Sequence, residues 1–131
     1  MQLSAYSQNK VFETFVQWGV PRDYGDPMYN YLVYGFEPGS FFTSVLANDW
    51  HRAIMSSHPA NTIEALKAVT GWIHDQLPPT AHGSYSTVIA WCQLASDERR
   101  AILEQHHLVY SEKQENWMAL QSLPTHKPML F

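Results

Sequence analysis

PGSFFTSVLANDWHRAIMS, residues 38–56, decides how this chain is read. Pro38, Gly39 and Ser40 form a turn and cap. Behind them Phe42, Val45, Leu46, Ala53 and Ile54 recur at helical pitch, so one apolar stripe turns inward while Asn48, Asp49 and Arg52 project from its flank. One helix is expected from Ser40 to between Ser56 and Pro59.

Upstream, Val11, Phe12, Phe15 and Val16 carry the same period, and Gly19 with Pro21 stops it after Trp18. A strand is the alternative there, because VFETFV is also rich in β-forming residues. Pro21 to Pro27 reads as a polar loop, with Asp26 capping a short helix that has Pro27 in its first turn and ends near Gly35. Downstream, Asn61 and Glu64 have capping-box spacing. They open a helix in which Ile63, Leu66, Val69, Ile73 and Leu77 face inward until Pro78 and Pro79 end it. Gly71 inside it costs ~1 kcal/mol of helix propensity relative to Ala and marks a close helix crossing.

After the loop LPPTAHGS, Ser84 or Ser86 caps a helix with Val88, Ile89, Cys92 and Ala95 inward. Ser96 caps the next, with Asp97 and Glu98 at its positive end, running through Ala101, Ile102 and Leu103 to about His107. Ser111 with Gln114 starts a last helix holding Trp117, Met118 and Leu120, and residues 122–131 form an irregular tail broken by Pro124 and Pro128. The expected fold is an all-α, compact, single-domain bundle of six or seven short helices spanning residues 1–131.

Composition supports one folded unit: 45% of the 131 residues are hydrophobic, too many for a disordered chain. The net charge of -4 is spread evenly, and eight Lys and Arg without a basic cluster exclude duplex nucleic acid as a partner. No apolar run is long enough to cross a membrane, and the start MQLSAYSQNK lacks the pattern of a secretory signal. Cys92 is the sole cysteine, so there is no internal disulfide, and its apolar neighbours predict a packed thiol in a reducing cytoplasm.

Four groups of residues could carry chemistry. Asn48, Asp49 and Arg52 could anchor a polar or anionic ligand, since a guanidinium binds carboxylate or phosphate through two parallel donors; a solvated ion pair is the plain alternative. Seven histidines lack the spacing of a metal site, so no metal and no cofactor is expected. Ser40, Ser84, Ser86 and Cys92 sit in cap or core contexts rather than nucleophile motifs, although His82, Gly83 and Ser84 at a helix start could offer N–H groups to an anion. The fourth is the aromatic stretch Tyr24, Tyr29, Tyr31 and Tyr34, with Trp18, Arg22 and Phe36, which either packs the core or meets a partner. The apolar end Met129-Leu130-Phe131 poses the same choice between fraying and docking, perhaps on a second copy.

GFEPGSFFTSVLANDWHRAI, residues 35–54, and WIHDQLPPTAHGSYSTVIAW, residues 72–91, resemble a group of small phage and prophage proteins. The matching positions are Pro38, Gly39, Ser40, Phe41, Asn48, Asp49, Pro78, Gly83, Ser84 and Trp91; Ser57-His58 stands where that group has Ala-Asp. The resemblance implies an accessory protein in a bacterial host's cytoplasm that inhibits or decoys a host defence system, and it brings no activity with it. The residues themselves favour a non-enzymatic binding protein, expected as a homo-oligomer, that takes a host protein or a small anionic or nucleotide ligand through Arg22, Tyr24, Tyr31, Tyr34, Ser40, Asn48, Asp49, Arg52, His82 and Ser84. The alternatives are a small metal-dependent hydrolase or nuclease in which Asp49, His51 and His82 converge, or a structural protein of the virion.

Overall fold

In the computed structural model, residues 5–56 and 61–109 are described, with side chains from Val11 onward. Helix α1 (Ala5–Trp18) leads through a 3-10 turn (Arg22–Tyr24) into α2 (Gly25–Tyr34); α3 (Ser40–Leu46), α4 (Trp50–Ser56) and α5 (Ile63–Gln76) follow. A second 3-10 turn (Pro79–Ala81) then precedes α6 (Tyr85–Gln93) and α7 (Ser96–Gln105). The described residues are all helical, with seven α-helices and no strand, so VFETFV is helix. The expected helix at Ser111 and the tail at 122–131 lie outside the described residues.

The segment read as one helix, residues 40–56, is two. α3 ends at Leu46, Asn48 takes a left-handed φ of 64°, and α4 restarts at Trp50. Asparagine tolerates that conformation better than most residues because its short side chain bonds locally. The Asp49 carboxylate accepts the Arg52 N–H at 3.2 Å, which starts the new helix. The corner re-aims α4, so Ala53 is buried while Ile54, assigned to the inward stripe, is exposed.

Other caps shift by a residue. Gly39 precedes α3 and Ser40 is its first residue; Thr62, not Asn61, caps α5 by accepting the Ala65 N–H at 3.0 Å. Asp26 lies inside the first turn of α2, and Ala95 rather than Ser96 flanks α7. Ser84 does cap α6, accepting the Thr87 N–H at 3.1 Å. Leu77, extended before Pro78, ends α5 because a residue preceding proline avoids the helical region.

Two tryptophans centre the core. Trp72 of α5 is fully buried, packs edge-on against Phe15 at 4.6 Å and donates its indole N–H to Thr14 Oγ1 at 2.9 Å. Trp91 of α6, also fully buried, donates to the Tyr31 carbonyl at 3.1 Å, and Tyr31 in turn donates its hydroxyl to the Ala81 carbonyl at 2.7 Å. Trp72, Trp91 and Tyr31 are thus buried with their polar side-chain atoms satisfied, which avoids the cost of an unpaired buried donor. Val16, Ile63, Ile89 and Ala95, expected to face inward, are exposed, and Cys92 is half-buried.

Gly71 marks the α1–α5 crossing as its place in the sequence suggested: a Cβ there would stand 2.9 Å from Trp18 Cζ3. Gly25 is the tighter case. Its φ of -64° suits any residue, yet a Cβ would lie 1.7 Å from Phe12 Cε1, so space alone requires glycine. Gly25→Ala is expected to cost about 2 kcal/mol by overpacking, lowering Tm by roughly 5–10 °C. Thermal unfolding followed by circular dichroism checks this; an unchanged Tm would mean that α1 and α2 do not pack as described.

Candidate functional site

The α3–α4 corner and the start of α6 meet. Gly83 donates its N–H to the Leu46 carbonyl at 2.7 Å, which holds the loop before α6 against the end of α3. From the first turn of α6, Tyr85 donates its hydroxyl to Asp49 Oδ2 at 2.6 Å and lies 3.4 Å from Ser44 Oγ. The Tyr85 hydrogen bond, then the Arg52 N–H, hold the Asp49 carboxyl below its ordinary range; the nearby charges of Arg52 and His51 add less. Two groups that are distant in sequence, 48–52 and 82–85, therefore form one neighbourhood.

Their donors are largely committed within the fold. Asp49 is spent on Tyr85 and on the backbone N–H of Arg52 at the helix start, while the Arg52 residue is itself exposed. Ser84 Oγ accepts the Thr87 N–H and lies 2.8 Å from the Thr87 hydroxyl and 3.1 Å from that of Ser86. In the turn that could have cradled an anion, the Gly83 and Thr87 N–H groups are already bonded within the fold. The ring beside His82 is His74, with centroids 6.2 Å apart, and neither hydrogen bond of Asp49 involves a histidine. Burial, reinforced by His74, keeps His82 readily neutral, against a hydrogen bond to the Leu77 backbone. Among the described residues no group of three or more His, Cys, Asp or Glu could hold a metal ion. Burial pushes the Cys92 thiol up, away from the thiolate a nucleophile requires.

The aromatic candidates divide. Tyr31 is fully buried, and burial, with a smaller effect of Cys92, raises its hydroxyl far above the ordinary tyrosine value. Tyr24 is buried against Phe41 and Phe42, ring centroids 5.9 and 5.0 Å away, so both tyrosines serve the core. The Arg22 guanidinium sits 5.2 Å over the Phe12 ring, a cation–π contact within the fold. Ser40 is exposed, and its carbonyl accepts the Ser44 hydroxyl at 2.8 Å. Asn48 is exposed at the corner. Of Tyr24, Tyr29, Tyr31 and Tyr34, only Tyr34 reaches the surface, where it stacks on Phe36 at 5.7 Å with the rings 30° apart.

Three features escape sequence reading. The first is the outer side of α4, where Trp50, Ile54 and Met55 are exposed, Met55 by 73%. Trp50 shares a crevice with Leu66 and Thr70 of α5, one turn from Ile63, which is itself 66% exposed. The second is an open groove of about 510 Å³ lined by Pro79, Thr80, Ala90, Trp91, Leu94 and Ile102, among others. The third is the buried Arg99 of α7. The signal for the first was the Asn48-Asp49 pair, which reads as a helix break with a new cap as readily as it reads as a polar flank.

Comparison with protein-family models, curated proteins and solved structures finds no match for the chain.

Asp49→Asn is expected to lower Tm at pH 7, because the carboxylate is the stronger acceptor for Tyr85 and the Arg52 N–H. A carboxyl held below its ordinary value stabilises above that value and loses the effect as pH falls through its folded one. The difference between wild type and Asp49→Asn should therefore narrow as pH falls below the ordinary carboxyl value, about 3.9. Paired thermal melts at pH 7 and pH 2.5 measure it; a gap that does not narrow at the lower pH contradicts the assignment.

Proposed function

We propose that this chain is a non-enzymatic binding protein, a phage accessory factor that occupies a host protein in the bacterial cytoplasm. The observation that carries the reading is the exposed apolar side of α4, Trp50, Ile54 and Met55, near the exposed Ile63. Scattered surface hydrophobics are ordinary, but several large ones on a single seven-residue helix form the kind of patch that partners cover. The stacked Tyr34–Phe36 pair adds a second exposed apolar feature.

The balance of donors favours a protein partner over a small anion. Arg99 is engaged by backbone carbonyls, Arg100 by Glu104 at 3.1 Å, and Arg22 by Phe12, so these three cations serve the fold rather than a ligand. The half-buried, hydrogen-bonded polar groups of the α3–α4 corner read as scaffold. No helix of the described residues is long and apolar enough to cross a membrane, which accords with a partner in the aqueous phase. The viral setting rests on the resemblance of residues 35–54 and 72–91 to phage and prophage proteins.

A photo-crosslinking amino acid placed at Met55, with one at the exposed Gln17 as control, tests this in living bacterial host cells. The expected result is a discrete host-protein adduct from position 55 and none from 17, with Ile54→Asp reducing its yield at least tenfold without loss of helicity. Equal labelling from both sites, or a self-adduct of twice the chain's mass, overturns the host-partner reading.

A further inference from the structure

We propose that His74 and His82 form a proton-sensitive latch, which on acidification releases the segment from Leu77 to Ser84 from the end of α3. His74 lies on the last turn of α5 and His82 follows the 3-10 turn, and the chain between them folds back so that the two rings meet at 6.2 Å, inclined by 62°. His74 is exposed and His82 half-buried. Protonating both rings sets two like charges beside each other, one of them partly removed from water.

One neighbour of His82 favours its charged form, the Leu77 backbone to which it is hydrogen-bonded, but this is outweighed by burial and by His74 of α5. Asp75, beside His74, is exposed and accepts the Gln76 amide at 2.7 Å; Asp49, across the corner, is taken by Tyr85. Among the described residues, neither of these carboxylates is thus disposed to compensate an imidazolium at position 82. The relief available is outward movement of His82 into water.

That movement pulls on named bonds. Gly83, the next residue, holds the loop to Leu46, and Ser84 after it caps α6 through Thr87. His82 binds its proton less readily in the closed form than in an opened chain, because of burial first and His74 second. The closed form's advantage is therefore complete above the ordinary imidazole value, about 6.5, and is lost as pH falls through and below it. Tyr31, hydrogen-bonded to Ala81, anchors the turn just before the latch, so opening is confined to the side nearer α6.

Amide hydrogen exchange of the whole chain, corrected for the intrinsic pH dependence of exchange, reads the latch directly. From pH 7.5 to pH 5.0, protection at the Gly83 and Thr87 amides is expected to fall at least tenfold, while amides around Trp72 in α5 hold. His74→Gln should make that fall measurably smaller while leaving the part due to burial, and His74→Lys, which supplies a permanent charge, should loosen Gly83 and Thr87 already at pH 7.5. Both substitutions are at an exposed position, so the fold is expected to persist. Equal loss of protection in wild type and His74→Gln, or no loss in wild type at pH 5.0, overturns the proposal.

Discussion

One buried cation ties three helices together. Arg99, 5% exposed on α7, donates Nε–H to the Val33 carbonyl at 3.2 Å and its Nη1 to the Leu94 carbonyl. Val33 lies in the last turn of α2 and Leu94 flanks the end of α6, so both acceptors belong to the negative ends of helix dipoles. Burying a guanidinium is costly unless its donors are matched, and here unpaired helix-end carbonyls do the matching. The cation needs those carbonyls and the carbonyls need a donor, so α2, α6 and α7 hold one another in register. The Tyr34–Phe36 pair sits directly after the Val33 anchor and takes its place on the surface from it.

A similar economy governs the other half of the chain. Asp49, Gly83 and Ser84 look like parts of a site when read from sequence, and the fold adds Tyr85 and Ser44 to them. In the fold they bind one another or the backbone, and their joint effect is to turn the chain sharply between α3 and α4. That turn exposes Trp50, Ile54 and Met55. The polar groups thus support binding by presenting an apolar surface, rather than by touching a partner themselves.

Much of the fold was legible because helical period, proline stops and caps are local signals. The α5 stripe of Leu66, Val69, Ile73 and Leu77, the Pro78 stop and the Ser84 cap all follow from a few neighbouring residues. The break at Asn48 was hidden because apolar spacing continues through it, and a stripe alone does not register a change in helix direction. Arg99 was hidden for a different reason: its partners are backbone atoms of residues 33 and 94, and no residue type marks a carbonyl as waiting for a donor. The exposure of Tyr34 against the burial of Tyr24 and Tyr31 likewise depends on which ring the tertiary packing leaves outside.

Replacing Arg99 by methionine, which keeps the length and apolar stem but removes the donors, tests the central constraint most directly. Two charge-assisted hydrogen bonds are lost and two helix-end carbonyls are left without them, so a loss of about 3 kcal/mol is expected, seen as a fall in Tm of roughly 10 °C or more. Arg52→Met, at an exposed position, serves as the control and should stay close to wild type. An Arg99→Met protein melting within about 2 °C of wild type would contradict the account, because the three helices would then be held by something other than this cation.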